Sequence, residues 1–129
     1  MGYVCVSINY RMGFKMSSKA IERTAYQATQ DAHAAMRYLL SKKEIYRIDP
    51  DCLFVGGASA GSITAMNLAY MRNENRPKSS YSSLFAEDLG DLETSGNKLY
   101  GKFRIKGVAN MWGSMNDLKM LLISVCFKF

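Results

Sequence analysis

The chain reads as an α/β protein, a mostly parallel sheet with flanking helices, and three stretches carry that reading. Residues 52–65, CLFVGGASAGSITA, pass from a short apolar run through Gly56, Gly57, Ala58, Ser59, Ala60 and Gly61 directly into small, helix-compatible residues. That is a sharp strand-to-helix turn. Residues 2–10, GYVCVSINY, are β-branched and aromatic with almost no polar content, as expected of a central strand covered on both faces. Between them, Ala25, Ala28, Ala32, Ala35, Met36 and Leu39 recur at three- and four-residue steps, the period of an amphipathic helix. A strand, a helix and a second strand joined by a crossover of this length form a parallel βαβ unit.

In chain order, the strand at 2–10 opens into a loop over 11–18 that contains Gly13 and two serines, at the sheet edge where ligands of open α/β sheets sit. The helix at 21–41 carries a second, more polar stripe, Tyr26, Gln30, His33 and Arg37. His33 is the only histidine; its mid-helix position, ahead of Ser59, assigns it to a surface or helix-packing role over that of a catalytic base. Residues 42–51 form a polar connection closed by the turn Asp49-Pro50-Asp51. A strand over 52–55, the turn, and a buried helix over 60–72 follow. Residues 73–97 are polar and Ser-rich with Pro77, Gly90 and Gly96, a long excursion with a short helix around 84–88. Loops of this length are binding elements or disordered insertions. Residues 103–111 form another strand, ended by Trp112-Gly113 at the edge that carries Ser59. Trp112, the sole tryptophan, is either a pocket lining for an acyl or aromatic group or a packing anchor. The final run, MLLISVCFKF, resembles a sheet edge without its partner.

Gly57-Ala58-Ser59-Ala60-Gly61 is a G-x-S-x-G sequence in the setting that gives the pattern chemical meaning. A chain that turns at once from strand to helix holds Ser59 at positive φ with its hydroxyl at the tip. Gly57 and Gly61 let strand and helix approach without a Cβ between them. The amide of Ala60, at the helix N-terminus, points at a developing oxyanion and is aided by the helix dipole. The turn thus offers a nucleophile, Ser59, and one oxyanion donor; the plainer alternative is a glycine-rich connection with no chemistry.

At 129 residues and 48% hydrophobic the chain suits one domain with a modest core. No run reaches the roughly 18 apolar residues of a membrane span, and the start lacks the basic and apolar regions of a signal peptide. The net charge of +6 is spread along the chain, densest at Lys42-Lys43 and at Lys102, Arg104 and Lys106, without the interleaved aromatics of a nucleic-acid surface. Neither a membrane nor nucleic acid is expected as a partner. Cys5, Cys52 and Cys126 lack metal-ligand spacing and are read as core thiols rather than a disulfide framework; nothing calls for a metal or cofactor.

With these elements placed, the chain resembles the middle of an α/β-hydrolase of the carboxylesterase/lipase type, similar to bacterial esterases that include feruloyl and acetyl-xylan esterases. The resemblance lies in GYVCVSINYR at 2–11, in Asp31-Ala32-His33-Ala34-Ala35 with Tyr38-Leu39, and most specifically in Ile48-Asp49-Pro50-Asp51 leading into Phe54-Val55-Gly56-Gly57-Ala58-Ser59-Ala60-Gly61. It covers residues 1–118 and leaves 119–129 as a non-matching apolar tail. It implies a partial α/β-hydrolase fold, incomplete at both ends, and acyl transfer from a small-molecule or carbohydrate-linked ester through an acyl-enzyme, with no cofactor. Such enzymes carry a His-Gly-Gly oxyanion loop ahead of the first strand and a triad in the order Ser, Asp/Glu, His. Here no histidine follows Ser59, no such loop is present, and Asp117 would serve as acid only in a minority arrangement. The expectation is a fragment of a serine esterase, inactive alone and prone to self-association; the alternative is a non-catalytic assembly module on a degenerate hydrolase sheet.

Overall fold

The helix that Ala spacing predicts is the longest element of the computed structural model, which describes residues 2–13 and 16–114. Helix α1 (Ser18–Ser41) starts three residues earlier than its apolar period implies, because Ser17, in extended backbone, caps it and accepts a hydrogen bond from the Ala20 amide at 3.2 Å. A single-turn helix α2 (Lys43–Tyr46) ends at Arg47, at φ 55. The turn at Asp49 then forms as expected: its carboxylate accepts from the Asp51 amide at 2.9 Å and its carbonyl from Cys52 at 3.1 Å.

Strand β1 (Leu53–Ala58), helix α3 (Ala60–Tyr70) and strand β2 (Ile105–Met111) follow. The two strands are parallel, and the register pairs Phe54 with Gly107, Gly56 with Ala109 and Ala58 with Met111. Two of these pairings bring a glycine close to its partner. A Cβ at Gly107 would stand 3.0 Å from the Phe54 ring, and one at Gly56 would stand 3.0 Å from the Ala109 methyl. Helix α3 packs on both strands and on α1, where the Asn67 amide donates to the Thr29 hydroxyl at 3.2 Å, both groups being buried.

Residues 2–10 depart from expectation. They run without regular strand pairing and largely exposed, separated from β1 by a cleft of about 920 Å³. The described sheet is β1 and β2 alone. An apolar, β-branched run becomes a strand only where a neighbour supplies its ladder, and here none of the described residues does. Tyr3 reaches across to Phe54, ring centroids 6.4 Å apart, and Arg11 anchors the end of the segment through its ion pair with Asp31 at 2.8 Å. Cys5 and Cys52, read as core thiols, are instead exposed on this side; Cys126 lies outside the described residues.

The excursion over 73–97 also differs. It holds two short 3₁₀ turns, Asn73–Asn75 and Lys78–Ser80, and a turn closed by a bridge between Ser83 and Ala86 where a helix was expected. It lies over the polar stripe of α1. Tyr26 donates to the Gly90 carbonyl at 2.8 Å, Gln30 to Leu89 and Gly90, and Arg37 to Leu92 at 3.0 Å and to Ser95. A connection without a ladder has orphan carbonyls, and this stripe satisfies them. The core, Tyr26, Met71 and Leu92 with Tyr70 and Leu89, sits beneath the same excursion.

Candidate active site

The C-terminal ends of β1 and β2 meet at Ser59. Its φ of 51° and ψ of −117° place it in the left-handed half of the map, as a direct turn from strand to helix requires, and a residue with a Cβ is strained there. Its amide donates to the Met111 carbonyl at 2.9 Å, tying the turn to the neighbouring strand, while its own carbonyl accepts from Ser62 at 3.0 Å and Ile63 at 3.1 Å to start α3. Gly57 makes the turn possible: a Cβ there would lie 2.4 Å from the Gly61 carbonyl carbon and 2.8 Å from the Ser62 nitrogen.

Gly61 behaves differently from expectation. A Cβ on it meets nothing within 4 Å, so the close approach needs a bare Cα on the strand side only, with Gly61 contributing the backbone that Gly57 faces. Ala60 is the first residue of α3, a position whose amide has no intrahelical acceptor and stands at the positive end of the helix dipole.

A second left-handed residue lies beside the first. Trp112, at φ 58°, follows β2 directly and is 90% exposed, so among the described residues it is no packing anchor. The turn at Trp112 is bracketed by Asn110, whose side-chain oxygen accepts from the Gly113 amide at 2.9 Å and from the Ser62 hydroxyl. A Cβ on Gly113 would come within 2.5 Å of that same Ser62. Asn110 therefore couples the end of β2 to the first turn of α3. The sequence analysis missed this role, although an asparagine three residues before a glycine at a strand's end is a turn signal.

His33 lies elsewhere. It packs at 5.3 Å on Phe103, which precedes the start of β2, whereas Ser59 follows the end of the parallel β1; the two occupy opposite ends of the sheet. Only 8% of its surface is exposed, and its Nε2 is buried without a hydrogen-bond partner among the described residues. Burial foremost, then the charges of Arg37 and Arg72, push it down from 6.5 to about 4, so it is neutral at pH 7. Asp117 lies outside the described residues. Among the described residues no group of three or more His, Cys, Asp or Glu side chains could hold a metal ion, and no helix is long and apolar enough to cross a membrane.

The arrangement defines a class: an α/β protein whose left-handed serine stands at a strand-to-helix turn. Comparison with known families matches residues 1–124 to BD-FAE. The chain belongs to that family, which is related to α/β-hydrolase-type feruloyl esterases and makes it an esterase-like hydrolase. No curated protein and no solved structure matches it.

Proposed function

We propose that this chain carries the nucleophile turn of a carboxylic ester hydrolase, with Ser59 as nucleophile and the Ala60 amide as one oxyanion donor. The observation that supports it most is the backbone of Ser59: strain of about 1–3 kcal/mol at a non-glycine residue persists only where its surroundings enforce it. Here Gly57 and the Ser59 amide bond to Met111 do so. In the reaction, the Ser59 oxygen bonds to the ester carbonyl carbon, the carbonyl oxygen takes the negative charge beside the α3 N-terminus, and collapse expels the alcohol to leave an acyl-serine that water cleaves. Trp112 forms one wall of the acyl site, and Asn110 holds that wall to α3. The substrate class is a small-molecule or carbohydrate-linked ester.

A base must accept the Ser59 proton and return one to the leaving alcohol, and His33 is at the wrong end of the sheet for either step. Loss of a positioned base forfeits about 10²–10⁴ in rate. The isolated chain is therefore a poor catalyst whose acyl-serine forms slowly and clears more slowly. Incubation with an activated aryl acetate followed by peptide mapping tests this. Acetyl on Ser59 in the native chain, lost in urea and in Ser59→Ala, is the expected result; acetyl distributed over other serines at equal rates would contradict it.

A further inference from the structure

A second cleft, of about 930 Å³, lies at the opposite end of the sheet from Ser59, where residues 100–105 lead into β2 past the C-terminal end of α3. Hydrogen bonds fix its walls. Asn73 accepts from the Leu92 amide at 3.0 Å, and Arg37 donates to the Leu92 carbonyl at 3.0 Å. The charges around the cleft do not balance. Arg37, Arg72, Lys102 and Arg104 line it, and Glu93 is the one acid among the described residues that does. Glu93 acts on Arg37, whose guanidinium is otherwise spent on Leu92, Ser95 and Asn97. Arg72, Lys102 and Arg104 form no ion pair with any described residue.

Arg72 adds direction. Its Nη1 donates to the Ala69 and Met71 carbonyls at 3.4 and 3.1 Å, which answers the negative end of the α3 dipole and leaves Nε and Nη2 without an acceptor among the described residues. Beside these cations, His33 and Phe103 line the cleft with their rings packed together, and the imidazole Nε2 has no partner among the described residues. Guanidinium and ammonium groups gathered without a carboxylate are the recognition elements of an oxyanion, the guanidinium as a fork of donors and the ammonium as a point charge. We propose that this cleft binds the oxyanion of a small ligand, a carboxylate or a phosphate, held by Arg72, Lys102 and Arg104 with the exposed Tyr100 hydroxyl as a further donor. It is a second site and not part of the first, because the length of β1 and β2, about 20 Å, lies between it and Ser59.

The single histidine makes the test direct, since the full chain gives one imidazole signal in proton NMR. Burial, then the charges of Arg37 and Arg72, hold His33 at about 4, so at pH 5.5 it is almost wholly neutral. An anion on Arg72 offsets that guanidinium and favours the protonated ring. Inorganic phosphate titrated at pH 5.5 should therefore move the signal toward its protonated position, saturating at roughly 1–10 mM. Lys102→Ser and Arg104→Ser, both exposed, should each raise the half-saturating concentration about two- to fivefold, while Lys42→Ser, which does not line the cleft, should leave it unchanged. Acetate separates the sources of the oxyanion: a response comparable to that of phosphate assigns a carboxylate ligand, and its lack a phosphoryl one. Potassium chloride at matched ionic strength that moves the signal as far as phosphate would overturn the proposal, because screening alone would then account for it. So would a signal that does not respond to phosphate or acetate, or Lys102→Ser and Arg104→Ser that titrate like the parent chain.

Discussion

Ser59 stands in a conformation its side chain disfavours, and stability should register this. At φ 51° a glycine is relaxed, so Ser59→Gly is expected to raise unfolding free energy by about 1 kcal/mol while removing the proposed nucleophile. Gly57→Ala has the opposite sign: its methyl meets the backbone of Gly61 at 2.4 Å, and overpacking against backbone costs about 1–3 kcal/mol. Urea unfolding of both variants beside the parent chain checks the pair. His33 gives a second prediction. Because burial, with Arg37 and Arg72, lowers it from 6.5 to about 4, the unfolded chain binds a proton that the folded chain refuses between those values. Its stabilising contribution is complete above about pH 6.5 and is lost as pH falls through 4. About 2 kcal/mol disappears by pH 5 and about 3 in all. His33→Gln should flatten the slope between pH 7 and 5; an unchanged slope in the urea midpoint would show that the imidazole is not buried.

At the scale of elements, what was legible depended on whether a stretch carries its own instructions. The helix α1, the Asp49 turn, the strand-to-helix turn and β2 all announce themselves locally, through Ala spacing, Asx chemistry, Gly57 and a β-branched run. The polar stripe of α1 was visible as a period but not as an interface, because a helix's own sequence does not name the loop it will bond. The run 2–10 shows the converse: its composition states that it wants neighbours, but pairing is a property of the neighbours. The stripe's role is testable through Arg37, which serves Leu92, Ser95 and Asn97 at once. Replacing it by leucine leaves those acceptors without their donor, at about 1–3 kcal/mol. Amide exchange should then rise over residues 89–97 while β1 and β2 keep their protection; uniform loss across the chain would mean the excursion and the sheet open as one unit.

For the whole molecule, the sheet places two left-handed residues, Ser59 and Trp112, side by side at one edge and the only histidine near the other. The left-handed turn at Ser59, with Gly57 facing Gly61, was legible because a turn this tight leaves a short-range signature, and the roles proposed for Ser59 and Ala60 rest on it. Asn110 was hidden, since its role depends on two strands being neighbours. The account assigns the chain a nucleophile and one oxyanion donor without a base, and turnover of p-nitrophenyl acetate against pH tests that most directly. The predicted result is a rate barely above buffer, reduced further by Ser59→Ala and indifferent to His33→Ala. Turnover with a pH dependence near neutrality, abolished by either substitution, would contradict it and require Ser59 and His33 to work as a pair.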